Sequence, residues 1–218
     1  MLWFCVAGVT PSIGLVKQVI KNVEIPTMVL IRCRSGNFTY SKNEKETMLN
    51  SMKNFSKFNV VGFVVGALTQ SGEVDKLFME ELRSEFDGFS LTFHRAFDFV
   101  RDPFRALRDI EQLKFQRILT SGLSDDIIKG KEMIRKLVRL SDHTKIMPGG
   151  GITPENVQQI INYTKAKEIH VSASEAVTSK IGYGNKDLSM GSMIERKTFN
   201  KIRFEKILNN LRGVSDSE

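Results

Sequence analysis

The sequence is poor in the residue types and runs that mark several special classes of protein. Only two of its 218 residues are cysteine, Cys5 and Cys33, which argues against a disulfide framework and favours a reducing, cytoplasmic location. No apolar run approaches the roughly 18 residues of a membrane-spanning helix. The apolar start of the chain lacks the basic segment that opens a signal peptide. The sequence therefore predicts a cytoplasmic protein with no membrane partner.

Basic residues are in excess, but they are not clustered in a way that indicates nucleic acid. Lysine and arginine number 32 against 25 acidic residues, a formal net charge of +7. They are spread over predicted helix faces, as in 129–139, with no RNA-binding motif and no interleaved aromatic residues. Solvated helix surface is favoured, and no nucleic-acid partner is predicted. The length suits one domain, 1–212, followed by a polar tail, 213–218, that we expect to be frayed.

Short apolar runs alternate with amphipathic helical patterns along the whole chain. The predicted strands are Leu2–Val6, Thr27–Arg32, Val60–Val65, Leu91–Arg95, Arg117–Thr120, Thr144–Met147 and Glu168–Ser172. The predicted helices are Ser12–Asn22, Glu44–Phe58, Val74–Phe86, Pro103–Leu113, Asp125–Leu140, Pro154–Tyr163 and Thr198–Leu211. Asp102 and Thr153 precede prolines and are expected to be helix N-caps.

This alternation predicts an α/β fold with parallel strands, namely a TIM-type (β/α) barrel. A closed barrel of this type has eight strands, and only seven are recognisable. We therefore expect the first βα unit to be absent. The open flank would be covered by the last helix or by another subunit.

Small residues follow two successive predicted strands near the end of the chain. Gly149, Gly150 and Gly151 come directly after one strand, and the next strand carries His170 and ends at Ser172. Glycine lets the backbone approach a ligand closely with its N–H groups free to meet an anion. In barrels of this type the loops after the last two strands bind phosphate. The pattern predicts an anion site, with Ser121 after an earlier strand as a further contributor.

The densest polar cluster, His94, Arg95 and Asp98, lies at the end of another predicted strand. A histidine there can transfer a proton near neutral pH, and an arginine can hold a carboxylate or phosphate. These three residues are the candidate catalytic group. The structural alternative is an ion pair that fastens the strand to the following loop. Arg32 and Arg34 would share one side of an extended segment and form an anion clamp, unless they simply cover helix surface.

Strand-end motifs in this order resemble the CutC copper-homeostasis family. Two of them, TFHRAFD at 92–98 and LTSG at 119–122, are highly specific. The other matching segments are 10–14, 31–38, 40–41, 62–68, 147–151, 170–173 and 188–191. Cys33 stands where the family usually has proline, Asn37 where it usually has aspartate, and Trp3 where it usually has glutamate.

The resemblance implies a cytoplasmic barrel, often oligomeric, that is linked to copper tolerance and binds Cu(I) through cysteine. Cys5 corresponds to a family cysteine linked to copper. Cys33 ends the neighbouring strand, and adjacent strands lie about 4.8 Å apart, so a two-sulfur site is conceivable. However, if the flanking arginines face the barrel mouth, Cys33 points toward the helices.

Three functions remain open at this point. The first is copper homeostasis, with copper ion as partner and an anion pocket at the carboxyl ends of the strands. The second is an enzyme or sensor for a small phosphorylated or carboxylated metabolite. The third is a shortened, inactive form that associates with a partner. Whether the chain is an enzyme is left open, and a homo-oligomer is expected.

Overall fold

A computed structural model of the chain describes residues 2–4, 8–178 and 195–215. Eight strands are found: β1 Leu2–Phe4, β2 Thr27–Leu30, β3 Gly62–Val65, β4 Ser90–Phe93, β5 Arg117–Thr120, β6 Lys145–Pro148, β7 Ser174–Thr178 and β8 Glu195–Phe199. Seven α-helices are found: α1 Ile13–Asn22, α2 Lys42–Phe55, α3 Lys76–Glu85, α4 Pro103–Gln112, α5 Ile127–Leu140, α6 Val157–Thr164 and α7 Lys201–Ser215. A short 3-10 helix, Arg95–Phe99, follows β4.

The first six strands form one parallel sheet in the order in which they occur along the chain. A helix follows each of these six strands, as the alternating pattern predicted. The Thr92 hydroxyl on β4 reaches the Met28 sulfur on β2 at 3.8 Å, across the intervening strand, so the sheet is strongly curved. The fold is of the α/β, TIM-barrel type. Within the described ranges no ladder joins β6 back to β1.

The predicted seventh strand, Glu168–Ser172, is reduced to a single parallel bridge between Gly149 and His170. Ala173 adopts a left-handed conformation with φ +42°, which an alanine rarely does and which turns the chain away from the sheet. Beyond it, β7 pairs with β8 in a separate antiparallel hairpin.

Several predicted helix termini differ from the structure, by up to four residues. Asp102 caps α4 as expected, accepting from the amides of Phe104 and Arg105. Thr153 is not the cap of α6, because a turn intervenes and the helix begins only at Val157. The last helix starts three residues later than predicted and extends to Ser215, into the segment expected to be frayed.

The main core lies between the sheet and the helices that surround it. It includes strand residues such as Val29, Phe63, Phe93 and Ile146 together with the apolar faces of the helices. Ile207 of α7 joins this core, and the Gln158 side chain of α6 donates to the Asn210 carbonyl of α7 at 3.2 Å. None of the helices in the described ranges is long and apolar enough to cross a membrane.

Candidate functional site

His94 immediately follows β4 and is buried at the carboxyl end of the sheet, with 5% of its surface exposed. Its Nδ1 accepts from the Ala96 amide at 3.1 Å, so the proton of the neutral imidazole is assigned to Nε2. Gly66 makes room for the ring, because a Cβ there would lie 2.8 Å from Nδ1. Burial, and then the nearby Arg32 charge, lower the His94 pKa to about 3. The neutral imidazole then offers Nε2–H as a hydrogen-bond donor, and the catalytic role of His94, Arg95 and Asp98 stays a prediction.

Arg32 lies close enough to this imidazole for its charge to act on it, and Tyr40 lies beside Arg32. The Arg32 guanidinium donates through Nη1 to the Gly8 carbonyl at 3.1 Å and lies 4.7 Å from the Phe38 ring centroid. The Phe38 ring in turn lies 5.0 Å from that of His94. Burial raises the pKa of the Tyr40 hydroxyl, although Arg32 is close enough to favour the ionised form. We call Arg32, Tyr40 and His94 the mouth cluster.

Three buried polar atoms of the mouth cluster have no hydrogen-bond partner in the described part of the chain. They are Arg32 Nε, Tyr40 Oη and His94 Nε2. Leaving a buried donor unsatisfied costs about 1–3 kcal/mol, so most native structures avoid it. Tyr40 Oη is close enough to Arg32 to accept from it, which leaves the Tyr40 hydroxyl proton and His94 Nε2–H without an acceptor in the described residues.

Arg95, the next residue, faces the other side of the strand end. Its Nε donates to Asp98 Oδ2 at 2.7 Å and its Nη2 donates to Ser121 Oγ at 2.8 Å. Its Nη1 points at the loop after β6, since a Cβ on Gly150 would lie 3.3 Å from it. The side chain of Arg95 is 42% exposed. The residues Arg95, Ser121 and Gly149–Gly151 are called the glycine corner below.

Asp98 holds Arg95 and the end of β5 in place. Its carboxylate, only 4% exposed, accepts from the Thr120 hydroxyl, the Ser121 amide at 3.0 Å and the Leu123 amide at 3.2 Å, besides Arg95. These bonds join the 3-10 helix to the end of β5. The structural alternative, an ion pair that fastens strand to loop, therefore describes Asp98 well.

The three glycines form a tight loop over β5 and β6. A Cβ on Gly149 would lie 2.5 Å from Leu119 Cδ1, so no larger residue fits there. Gly150 and Gly151 have φ of +98° and +89°, which only glycine adopts without strain. Their amides donate no hydrogen bond within the described ranges. The side-chain amide of Asn156 donates to the Gly151 carbonyl at 2.8 Å and holds the loop in this form.

His170 and Ser172, the remaining residues predicted for the anion site, are placed differently from each other. His170 bridges to Gly149, and burial followed by the Arg95 charge lowers the pKa of its imidazole to about 4. Ser172 is exposed, and its hydroxyl accepts from Ser174 at 3.4 Å. The structure thus brings His170, but not Ser172, to the glycine corner.

Arg32 and Arg34 do not form a clamp. Residues 33–36 are bent and not extended, so the two guanidinium groups serve different partners. Arg34 forms an ion pair with Glu44 and donates to the Asn37 and Thr39 carbonyls at 3.1 and 2.9 Å. Arg34 therefore shapes this loop, while Arg32 faces the mouth cluster.

The sequence model of the CutC family matches residues 3–175. The chain belongs to the CutC family. A mouse relative described as a copper homeostasis protein cutC homolog is 37% identical over 88% of this chain and 71% of its own length. The corresponding human protein is 38% identical over 86% of this chain and 69% of its own length. A CutC family protein of Parabacteroides distasonis is 39% identical over 91% and 83% of the two chains.

Solved structures agree with this assignment. A Streptococcus agalactiae chain described as a CutC copper homeostasis protein aligns with a TM-score of 0.72 at 33% identity, over 74% of this chain and 81% of that one. An inosine 5'-monophosphate dehydrogenase from Legionella pneumophila aligns over 90% of this chain and 68% of that one, with a TM-score of 0.57 at 12% identity. The second likeness concerns the fold alone.

The described part of this CutC-family chain does not build a metal site from several ligands. No group of three His, Cys, Asp or Glu side chains in residues 8–177 or 198–212 is arranged to hold a metal. Cys33 packs against the main core, and burial, followed by the Glu44 charge, raises the pKa of its thiol. Cys5 lies outside the described residues.

Sequence reasoning missed three residues that shape this face of the CutC-family chain. Tyr40 belonged to a matching motif but carried no assigned role, and its buried hydroxyl depends on tertiary packing. Gly66 signals a close approach only once its neighbour on β4 is known. Asn156 could have been found from the sequence, because asparagine side chains often bond to nearby backbone in turns and so indicate a turn after the glycines.

Proposed function

We propose that this CutC-family protein acts in copper homeostasis as an enzyme or sensor that binds a small phosphorylated or carboxylated anion at the glycine corner. One observation carries the proposal: Arg95 is held by Asp98 and Ser121 so that its Nη1 is directed at Gly150. The amides of Gly150 and Gly151 lie in the same loop and have no partner in the described ranges. A guanidinium and two amides are the donor set that an anion requires.

The energetics favour such a ligand. A hydrogen bond to a charged group contributes about 1.5–3 kcal/mol, and two or three of them offset much of the cost of ordering a small molecule. Because Arg95 is already fixed by Asp98 and Ser121, little side-chain entropy is lost on binding. Arg95 can pair with Asp98 through Nε and still bind a ligand through Nη1, so the two roles are compatible.

Titration calorimetry with inorganic phosphate tests the proposal. The wild-type protein is expected to bind phosphate, and Arg95→Gln is expected to weaken binding at least tenfold, because it removes the only charged donor of the corner. Arg105→Gln is the matched control, since Arg105 is 59% exposed and pairs with Glu73 away from the glycines. Circular dichroism checks that each variant is folded. Folded wild type with no phosphate binding, or equal loss in both variants, would contradict the proposal.

Copper is the second candidate ligand, and family membership favours it. In this proposal Cu(I) is cargo bound through Cys5, and Cys33, whose thiol pKa is raised by burial, is not a ligand. Anaerobic Cu(I) titration against a competing chelator is expected to show weaker binding in Cys5→Ser and unchanged binding in Cys33→Ser. Equal affinity in wild type and Cys5→Ser would rule out Cys5 as a ligand.

A further inference from the structure

We propose that the mouth cluster binds a carbonyl or carboxylate oxygen, so that the ligand of this face is a small phosphate ester that also carries such a group. The phosphate half rests on the proposed function. The second half stands on the mouth cluster alone, whose residues take no part in the glycine corner.

The chemistry of the three partnerless atoms defines what fits between them. His94 Nε2 is a donor, because Nδ1 already accepts from the Ala96 amide. Arg32 Nε is a donor in every protonation state. The Tyr40 hydroxyl stays protonated because burial raises its pKa. The Tyr40 oxygen lies close enough to Arg32 to accept from it, but the Tyr40 hydroxyl proton and His94 Nε2–H still require an acceptor. The Arg32 charge selects against a cation.

Burial makes this more than a solvent-facing patch. Tyr40 is 6% exposed and His94 is 5% exposed. The ring of Phe99, which is 66% exposed, lies 5.4 Å from that of Phe38 and extends the apolar wall toward solvent. An oxygen entering here exchanges water for three donors in an environment of low dielectric, where hydrogen bonds are strong. A neutral imidazole that donates to a carbonyl oxygen also polarises it.

The two donor sets lie on the two sides of one strand end. His94 and Arg95 are consecutive residues, whose Cα atoms are about 3.8 Å apart. His94 faces Gly66 and Phe38 on the β3 side, and Arg95 faces Ser121 and Gly150 on the β5 and β6 side. A ligand lying across the end of β4 meets both sets, and its two acceptor groups need only a short carbon link.

A matched pair of probes separates the two donor sets. Ethyl phosphate carries only the phosphate, whereas 2-phosphoglycolate adds a carboxylate to it. Titration calorimetry of the wild-type protein is expected to give at least tenfold tighter binding of 2-phosphoglycolate. Tyr40→Phe removes one hydroxyl and is expected to reduce that preference about fivefold without changing the affinity for ethyl phosphate. Tyr163→Phe, at a half-buried tyrosine on α6 whose hydroxyl donates to Glu132, should change neither affinity.

His94→Met provides the second variant, with its fold checked by circular dichroism, and should reduce the preference further. Equal affinities for the two probes in the wild type, or an unchanged preference in Tyr40→Phe, would overturn this inference while leaving Arg95-dependent phosphate binding intact. If 2-phosphoglycolate instead binds with Tyr40 dependence but without Arg95 dependence, the mouth cluster stands and the glycine corner fails.

Discussion

The two sides of the β4 terminus satisfy their buried polar groups in opposite ways. On one side, the Asp98 carboxylate accepts from Arg95, Thr120, Ser121 and Leu123. On the other, Arg32 Nε, Tyr40 Oη and His94 Nε2 make no well-formed hydrogen bond within the described ranges. Asp98 thus belongs to a completed hydrogen-bond network, whereas His94, only four positions earlier, belongs to an incomplete one.

The difference separates structural groups from ligand-binding groups. A buried carboxylate with all its acceptor sites used stabilises the fold, and a ligand has nothing to add to it. Buried donors without acceptors destabilise the free protein, and a ligand that satisfies them recovers that free energy on binding. The comparison therefore predicts that substitutions on the two sides act on different quantities.

The largest effect is expected from removing the centre of the completed network. Asp98→Ala should lower the free energy of unfolding by about 3 kcal/mol or more, because it leaves buried donors of β5 and the Arg95 charge without their acceptor. Urea denaturation measures this value. Asp87→Ala is the control, since Asp87 is 92% exposed and should change stability by less than about 0.5 kcal/mol. Similar losses in both variants would contradict the structural role of Asp98.

Acidification tests the buried imidazole on the other side. The His94 pKa is lowered to about 3 from the 6.5 of an unfolded chain, so between these values the unfolded state binds more protons. Stability is therefore complete above pH 6.5 and falls as the pH drops toward 3, by about 1.4 kcal/mol per pH unit. His170, with a pKa lowered to about 4, acts in the same direction.

Denaturation of wild type and His94→Gln at pH 7 and pH 5 measures this contribution. The variant should lose about 2 kcal/mol less than the wild type over that interval, because its side chain does not titrate. His143→Gln changes an exposed histidine and should keep the wild-type slope. Identical slopes in all three proteins would show that the His94 imidazole is not buried as described.

A pair of buried hydroxyl groups compares the two sides directly. Thr120→Val removes a hydroxyl that donates to Asp98 and accepts from the Gly122 amide, and should cost about 2 kcal/mol. Tyr40→Phe removes a hydroxyl that makes no well-formed hydrogen bond, although Arg32 lies close to it, and should leave the free energy of unfolding unchanged or raise it by up to about 1 kcal/mol. A clear loss of stability in Tyr40→Phe would show that this hydroxyl is already satisfied.

The smallest effect concerns two glycines in different surroundings. Gly150→Ala forces alanine to a φ of +98° against Arg95 and should destabilise by about 1–2 kcal/mol, with loss of phosphate binding. Gly14→Ala lies in α1 with no atom within 4 Å of the new Cβ, and should stabilise by about 0.5–1 kcal/mol. Equal stability changes in both would argue against a built glycine corner.

Much of the architecture was predictable from local patterns. Strand β5 has the predicted bounds, and helices α1 and α4 differ from prediction by one residue, because their apolar periodicity and caps are local properties. The seventh strand was predicted from the β-branched run after Glu168, and that pattern cannot report the left-handed turn at Ala173. Tertiary geometry, not local propensity, ended that strand.

The sequence predicted which residues form the glycine corner better than it predicted how the side chains of the site are placed. Arg95, Ser121 and the triple glycine do converge, because the carboxyl ends of parallel strands meet at one edge. Arg32 and Arg34 are separated by a bend at 33–36, which the spacing of residues in the sequence does not predict. The protonation state of His94 depends on burial by residues distant in sequence, and so it required the folded chain.

The fixed charge state of His94 has a consequence for the cell biology of this face. An imidazole with a pKa near 3 keeps one hydrogen-bonding pattern from mildly acidic to alkaline conditions. Any change in ligand affinity between pH 5 and pH 8 should then follow the ionisation of the ligand's own phosphate, whose second pKa is about 6. The occupancy of this face would vary with the metabolite's charge and concentration, while the protein surface that receives it stays the same.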